Sequence, residues 1–385
     1  MSYIGSKPAD AVLETDDITD GVITTSKLAD NSVTTAKTSY SDAPFRNIII
    51  NGDMSIAQRG TSATSIDSTN DGYLTMDRWI HVQQADDSNT GKTSMTQSTT
   101  VPSGQGFANS LKIDCTTAQT SISGTNSRVV VTQRFEGQNL QYLKKGTSSA
   151  ESLTASFWVK SNKTGTYICA LRDKDNSRDI AKSYTISSAD TWEKKTITFE
   201  GDTTGAFDND NARSLDVIWG LAAGSDYSSG TLQTTWGTAN NANVLVGQVN
   251  LMDSTSNEWF ITGVQLEAGT TASDFEFLPY DVNLKRCRRY FQKNDFWIDD
   301  GGSNFMKFYL TPMQLNPEMR SSPTVYDSTD LGVDTGDGET KETGGTNRVG
   351  IAASATYPTL AVLIGADHNG VYQKLKGRVW LNAEL

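Results

Sequence analysis

LTASFWVKS, residues 153–161, alternates between side chains suited to a protein core and side chains suited to a solvated surface. One set of alternate positions is Leu153, Ala155, Phe157 and Val159, and the other is Thr154, Ser156, Trp158 and Lys160. Successive side chains of a β-strand point to opposite faces of its sheet. The period of two therefore predicts a strand with one buried face and one outer face.

Short segments of similar composition recur from residue 45 to residue 280, separated by clusters of Gly, Asn, Asp and Ser. Roughly nine such segments have the length and composition of strands. They are RWIHVQQA, NSLKIDC, SRVVVTQRF, SLTASFWVKS, TYICALRD, KKTITFEG, LDVIWGLAAG, NVLVGQVNL and EWFITGVQLEAG. Many short strands with turn signals between them predict an antiparallel β-sandwich or jelly roll over residues 45–280.

The rest of the chain divides into three further segments. Residues 281–293, DVNLKRCRRYFQK, have the spacing of one amphipathic helix, with Asp281 as its N-cap. Residues 294–385 return to strand-like sequence and are expected to form a small C-terminal β domain. Residues 1–44 carry little apolar bulk and are expected to form a thin arm. The fold class predicted for the whole chain is mainly β.

The arm contains a repeat, DGVITTSK at residues 20–27 and DNSVTTAK at residues 30–37. Its sparse apolar positions include Ile18, Ile23, Leu28 and Val33. Neither one helix nor one hairpin is stable with so little to bury. The pattern favours several identical chains wound together over the alternative, a disordered polar arm.

The composition and net charge of the chain disfavour several classes of binding partner. The chain has 385 residues, a mass of 41.8 kDa, a mean hydropathy of −0.44 and a formal net charge of −12. That charge disfavours nucleic acids and anionic membranes, and leaves neutral polysaccharides or a basic protein as partners. The sequence has neither an apolar run of membrane-spanning length nor the features of a signal peptide, so ordinary secretion is not expected. Three cysteines fit translation in a reducing cytoplasm.

Motifs for catalysis are absent from the sequence. There are two histidines, His81 and His368, and no GxSxG nucleophile motif. DDSNTGKT, residues 86–93, lacks the first glycine of a phosphate-binding loop. Carboxylates cluster at Asp173, Asp175 and Asp179, at Asp208 and Asp210, and at Asp299 and Asp300. Their spacing fits no EF-hand, so solvated turns are favoured over calcium ligands. We predict no catalytic residues, metal or cofactor.

Aromatic side chains among polar neighbours are the best candidates for a binding site. Trp158 lies on the outer face of its predicted strand, and Trp192 stands between SSADT and EKK. Tyr227 and Trp236 lie in a Gly/Ser/Thr-rich segment. An exposed ring among hydroxyl groups suits a sugar, whose C–H face can lie against it. The alternative is that a second layer covers these rings. Trp79, Trp219 and Trp259 are expected in the core.

Several motifs resemble those of bacteriophage tail fibre proteins with a carbohydrate-binding jelly-roll domain. NIIINGDMSIAQRGTS followed by YLTMDRW resembles the opening of such domains, and FITGVQLEAGTTASDFEFLPYDVNLKRCRRYFQK is the most specific signature. TPMQLNPEMRSSPTVY and the terminal WLNAEL resemble segments of the same fibres. SYIGSKPAD with the DG.ITT.K repeats resembles the virion-attachment arms of fibres from aquatic phages.

The resemblance implies a homotrimer, in which the repeats form a thin shaft whose shared axis is made of Ile18, Ile23, Leu28 and Val33. Tyr3, Ile4 and Gly5 would then belong to the segment that attaches to a tail adaptor or another virion protein. It also implies synthesis in the host cytoplasm, assembly into the virion tail, and binding to a host surface polysaccharide without catalysis. Two alternatives stay open: a structural fibre, collar or spacer that carries another receptor-binding protein, and a polysaccharide depolymerase.

Overall fold

The computed structural model describes residues 45–84, 91–122, 126–299, 309–314, 317, 319–321, 324–327, 332–334, 339–340, 349–353, 359–364 and 374–385. The predictions for the arm, its repeats and the virion-attachment residues lie outside the described residues, as does His368. Side chains are described as far as residue 293, and then at 317, 319–321 and 381–385. In this part of the chain no helix is long and apolar enough to cross a bilayer.

Two antiparallel sheets dominate the described part of the chain, with strands numbered in chain order. The first sheet runs in the spatial order β1 (Ser62–Ile66), β3 (Lys92–Ser98), β4 (Ser110–Thr117), β12 (Glu258–Ala268), β6 (Leu153–Ser161) and β9 (Glu193–Phe199). The second sheet runs in the order β11 (Gly237–Thr238), β8 (Arg178–Ile186), β7 (Gly165–Asp173), β10 (Arg213–Ala223), β5 (Arg128–Glu136) and β2 (Ile80–Gln84).

The inner faces of the two sheets share one core. The Phe157 ring of the first sheet lies 5.8 Å from the Trp219 ring and 5.1 Å from the Tyr184 ring, both in the second sheet. The tryptophans at 79, 219 and 259 are fully buried, as the sequence predicts. The inward set of residues 153–161 is buried as well, which confirms the alternation of that strand. The protein is mainly β, an antiparallel sandwich of the jelly-roll type, as expected.

One predicted strand is wrong. NVLVGQVNL, residues 243–251, forms turns and a short 3-10 turn at Leu251–Asp253 instead of a strand. Val244 and Leu245 pack with Tyr227 on the outer face of the second sheet. Apolar residues there cover a sheet rather than extend it, and Gly247, at φ +87°, turns the chain away from an extended path.

Helices are short in the described part of the chain. A single turn, α1, spans Ser225–Ser228, and α2 spans Tyr280–Arg288. The helix predicted over 281–293 therefore ends earlier, because Phe291 already pairs with Asn382 in the next strand. Its N-cap is Pro279 rather than Asp281. Asp281 lies in the first turn, where its charge still complements the helix dipole.

Residues beyond α2 form two further antiparallel sheets among the described positions. One contains β13 (Phe291–Asp299), β20 (Lys374–Asn382), β16 (Gly332–Asp334), β17 (Glu339–Thr340) and, paired with β20, β15 (Thr324–Asp327). The other contains β14 (Tyr309–Gln314), β19 (Thr359–Ile364) and β18 (Val349–Ala353). By contacts, residues 47–385 form one compact unit. That residues 294–385 fold as a separate domain stays a prediction.

The last residues of the chain return to the sandwich. The Glu384 carboxylate forms ion pairs with Arg78 and, at 3.3 Å, with Arg59. Arg320 donates from Nε to the Ala383 carbonyl at 2.8 Å. These contacts, the tail junction, bring together residues of the segments YLTMDRW, TPMQLNPEMRSSPTVY and WLNAEL. Motifs that are far apart in sequence therefore stabilise one another in the fold.

Candidate functional site

The outer face of the first sheet carries a group of aromatic and basic side chains. The strand register places Phe260 of β12 opposite Lys112 of β4 and Lys160 of β6. In the next row, Trp158 of β6 lies opposite Thr262 of β12 and Lys194 of β9. Trp192, just before β9, reaches the first row. These residues form the Trp158 face: Lys112, Trp158, Lys160, Trp192, Lys194, Phe260 and Thr262.

Phe260 is the base of the Trp158 face. The Lys160 ammonium lies 4.2 Å from the centroid of its ring and that of Lys112 lies 5.3 Å away. The Trp192 ring approaches from another side, with centroids 6.0 Å apart and planes at 64°. Cations near an aromatic face are attracted by its quadrupole, so these contacts hold both lysine side chains against the sheet. Phe260 is left only 2% exposed.

Trp158 provides the accessible aromatic surface of this face. It is half-buried, Lys194 beside it is exposed, and Thr262 on its other side donates its hydroxyl to the Asn109 carbonyl at 2.7 Å. Because β6 pairs with β12 on one side and with the edge strand β9 on the other, strands on both sides hold the ring in place. The arrangement can offer a flat, rigid surface flanked by the Lys194 ammonium group.

The three lysines of the Trp158 face differ in whether they form ion pairs. Lys112 Nζ lies 2.8 Å from Asp114 and 2.9 Å from Glu258. Burial alone would lower the pKa of Lys112, but the hydrogen bonds to these carboxylates outweigh burial and raise that pKa above its ordinary value. Lys160 and Lys194 form no ion pair with any residue that the structure describes.

A segment of the chain covers the remainder of this outer face. Residues 269–277, the strap, cross the other ends of β12, β6 and β9. Thr154 donates to the Gly269 carbonyl at 2.8 Å, and Gln265 Nε2 donates to the Ser273 hydroxyl at 2.9 Å. Thr154 and Ser156 are consequently buried although they point outward. The strap limits the open surface to the part of β6 around Trp158 and Lys160.

Three phenylalanines form a second aromatic group beside a bulge in β12, where its register with β6 shifts between Thr262 and Gln265. The Phe107 ring lies 5.1 Å from Phe275 and 5.1 Å from Phe277, which is 52% exposed. A side chain at Gly263 would meet the Phe107 ring at 2.5 Å, so glycine is required there. Neither this group nor Phe260 was predicted from the sequence. The position of Phe260 could have been inferred, because it follows the inward Trp259 in an alternating strand.

The four aromatic residues that the sequence predicted to bind sugar occupy three different environments. Trp158 and Trp192 both belong to the Trp158 face, although the buried indole N–H of Trp192 indicates packing against Phe260. Trp236 is half-buried against the main core, and its N–H donates to the Glu200 carbonyl at 2.7 Å. Tyr227 is only 4% exposed, so its expected exposure is wrong.

Tyr227 is buried because the outer face of the second sheet is apolar and needs a cover. It packs with Val130 and Ile218 of that sheet, and the Arg128 guanidinium carbon lies 4.5 Å from its ring centroid. A Gly/Ser/Thr-rich composition suggested an exposed loop, but the few apolar residues of the segment are those that make contact. Tyr227 is therefore not part of an accessible site.

The aspartates at 173, 175 and 179 do not all lie in solvated turns, which corrects the interpretation of that cluster. Asp173 and Asp179 are buried, and Asp179 forms a two-pronged ion pair with Arg172 at 2.7 and 2.8 Å. Asp173 pairs with Lys145 at 2.6 Å. Ammonium and guanidinium groups thus neutralise these carboxylates. Among the described residues no group of three or more His, Cys, Asp or Glu side chains is arranged to hold a metal.

His81 is fully buried and its Nε2 lies 3.0 Å from the Thr93 hydroxyl. Burial lowers the pKa of His81 to about 4, so the imidazole is neutral at neutral pH. It lies within the sandwich between side chains of the two sheets. In this position the imidazole packs inside the sandwich and stabilises it.

Comparison with known proteins finds likeness only among solved structures. No protein-family model and no curated protein matches the chain. The enzymatically active domain of bacteriophage CBA120 tailspike protein 4 shows 14% identity and a TM-score of 0.28, over 59% of this chain and 22% of that one. This chain thus corresponds to only a small part of the tailspike domain.

Two bacterial binding modules are also similar. The family 11 carbohydrate-binding module of a Clostridium thermocellum cellulosomal cellulase shows 14% identity and a TM-score of 0.26, over 55% of this chain and 97% of the module. A xylan-binding domain from Paenibacillus barcinonensis shows 11% identity and a TM-score of 0.23, over 55% of this chain and 94% of the domain. Similarities at this level assign no function to this chain.

Proposed function

We propose that the protein is a bacteriophage tail fibre that attaches the virion to a host surface polysaccharide by non-catalytic binding at the Trp158 face. The motif resemblance supports the fibre, and one structural observation carries the binding site: Trp158 stays partly accessible, whereas the preceding outward residues of the same strand, Thr154 and Ser156, are buried. A side chain that serves packing alone would be covered by the strap, as Thr154 and Ser156 are.

The chemistry of the face suits a carbohydrate. The C–H face of a pyranose ring can lie on the Trp158 indole, which costs little entropy because the strand already fixes the indole. Hydroxyl groups of the sugar can reach the lysine ammonium groups on either side. A sheet face is open at its edges, so a long chain can pass across it. Such a surface binds one short stretch of a polymer.

Oligomerisation completes the proposed function. Three copies of residues 1–44, with Ile18, Ile23, Leu28 and Val33 on a common axis, would form the shaft, and Tyr3 with its neighbours would dock on a tail adaptor. The binding sites of one trimer and of several fibres act together, which raises avidity by on the order of a hundredfold or more where the geometry permits. The protein would be made in the host cytoplasm and act on the virion tail.

The test combines binding and hydrolysis. Full-length protein is mixed with surface polysaccharide extracted from the host, and both retention on the polymer and release of reducing ends are followed. Retention without release is the expected result. Release of reducing ends would instead identify a depolymerase. Absence of both would contradict a receptor-binding role and favour a structural fibre or a spacer that carries another receptor-binding protein.

A further inference from the structure

The Trp158 face is electrically polarised. Asp114 and Glu258 lie opposite each other at one end and share a single cation, Lys112. At the other end Lys160 and Lys194 have no carboxylate partner among the described residues, although the nearby Lys163 and Lys195 are both ion-paired. Two unneutralised ammonium groups make this end locally positive in a chain with a formal net charge of −12.

From this polarity we propose that the Trp158 face selects acidic polysaccharides, with a sugar ring on the Trp158 indole and the carboxylate of that unit or the next between Lys160 and Lys194. This inference rests on the proposed function and names the class of glycan. The net charge of the whole chain left neutral polysaccharides as possible partners, because an anionic chain repels anionic polymers. The local charge at the Lys160–Lys194 end reverses that expectation for this one surface.

The spacing of the residues fits such a ligand. Residues opposite each other on neighbouring strands lie about 5 Å apart, which separates Trp158 from Lys194. Residues two apart on one strand lie about 7 Å apart, which separates Trp158 from Lys160. Both lysine side chains can therefore reach a carboxylate on a sugar that lies on the indole. Lys160 is in addition steadied by its contact with the Phe260 ring.

The position of the charges also predicts how an acidic polysaccharide would be oriented on the face. An acidic chain that crosses the face would keep its carboxylates away from the Asp114 and Glu258 end, where like charges repel. Neutral sugar units can occupy the region near that end. A polymer that alternates acidic and neutral units thus fits better than one with a carboxylate on every unit. The compact ammonium group of a lysine suits a contact with a single carboxylate oxygen, rather than a two-pronged contact with both.

The experiment measures binding by the full-length protein in affinity electrophoresis with four acidic polymers and four neutral ones. The acidic probes are hyaluronate, alginate, polygalacturonate and polysialic acid, and the neutral probes are dextran, xylan, galactan and a mixed-linkage β-glucan. We expect retardation by at least one acidic probe and none by its carboxyl-reduced form. Raising sodium chloride from 50 to 500 mM should weaken that retardation at least fivefold, because salt screens exposed charges.

Two double variants with the same loss of charge test whether the acidic probe binds at Lys160 and Lys194. Lys160→Gln/Lys194→Gln should weaken retardation by the acidic probe at least tenfold. Lys144→Gln/Lys182→Gln removes the same net charge from two ion-paired positions elsewhere and should change it less than twofold. All four positions are at least partly exposed, so both variants are expected to fold. Equal losses in the two variants, or retardation that survives carboxyl reduction, would overturn the acidic assignment.

Failure of this inference is distinguishable from failure of the proposed function. One outcome is that neutral probes bind, and that their binding is abolished by Trp158→Ala but not by Lys160→Gln/Lys194→Gln. The face would then bind carbohydrate without selecting acidic units. If no acidic probe is bound at 50 mM sodium chloride, the acidic assignment is wrong. If Trp158→Ala leaves all carbohydrate binding unchanged, the face is not the site and both proposals are wrong.

Discussion

The Glu384 carboxylate forms an ion pair with Arg78, a residue 306 positions earlier in the chain, and the side chains of both are almost fully shielded from solvent. Arg78 also stacks on Tyr290, with its guanidinium carbon 3.5 Å from the ring centroid. Breaking a buried ion pair leaves an uncompensated charge. We therefore expect Glu384→Gln to lower the free energy of unfolding by about 3 to 5 kcal/mol.

Urea denaturation measures that loss. The control is Glu151→Gln, which removes a carboxylate from the exposed ion pair with Lys144 and should cost less than about 1 kcal/mol. If both substitutions cost the same small amount, the tail junction does not stabilise the sandwich.

Lys145 occupies a closed site made of four oxygen atoms. Its ammonium lies 2.6 Å from Asp173, 3.0 Å from Asp202, and 2.9 and 2.7 Å from the carbonyls of Thr204 and Gly205. Lys145→Met would leave the buried Asp173 carboxylate without its cation, whereas Asp202 would keep its ion pair with Arg178. We expect a loss of about 3 kcal/mol or more in the free energy of unfolding.

The neighbouring residue provides the control for this prediction. Lys144 is exposed, and Lys144→Met should cost less than about 1 kcal/mol. Thermal or urea unfolding of the two variants under identical conditions is the measurement. Equal stabilities would contradict the assignment of Lys145 as the group that neutralises Asp173.

His81 should make stability depend on pH. Its pKa is about 4 in the folded protein, because of burial, against an ordinary value of 6.5. Between pH 6.5 and 4 the unfolded chain binds the proton more tightly, so the stability present above pH 6.5 is lost as the pH falls. From pH 7 to pH 4.5 this loss is roughly 2 to 3 kcal/mol.

Comparison with His81→Gln isolates that contribution, since the carboxylates and His368 are common to both proteins. The wild type should lose more stability on acidification than the variant, by the amount given above. Parallel pH profiles for the two proteins, measured by urea unfolding, would show that His81 does not titrate as a buried neutral group.

Gly263 tests the packing around the Phe107, Phe275 and Phe277 group. It has φ +59°, and a Cβ there would meet the rigid Phe107 ring at 2.5 Å. Gly247 has φ +87° but open space around it. Gly263→Ala should therefore cost about 2 kcal/mol more than Gly247→Ala, since both carry backbone strain and only the first carries a clash. Urea unfolding of the two variants gives this difference directly, and equal losses would contradict the clash.

Local patterns were sufficient to predict much of the sandwich. The alternation of residues 153–161 correctly placed Phe157 inside and Trp158 outside, because a strand's period depends only on its own residues. The core tryptophans could be predicted for the same reason. Strand segments with clear turn signals at both ends were also identified.

Features that depend on distant partners could not be predicted. Asp173 is buried because Lys145 reaches it from another loop, and no local pattern encodes that pairing. Tyr227 is buried because its segment lies against a sheet formed by residues far from it in sequence. The accessible extent of the Trp158 face likewise depends on where the strap crosses, which the alternation of β6 alone does not reveal.

The most direct test of the central claim is the affinity of the full-length protein for host surface polysaccharide with and without the Trp158 ring. We expect Trp158→Ala to weaken binding at least tenfold, a loss of about 1.4 kcal/mol, with the fold unchanged. Tyr280→Ala, which removes an aromatic ring that is 63% exposed at the start of α2, should leave the affinity unchanged. Wild-type affinity in Trp158→Ala would contradict the assignment of the binding site to this face.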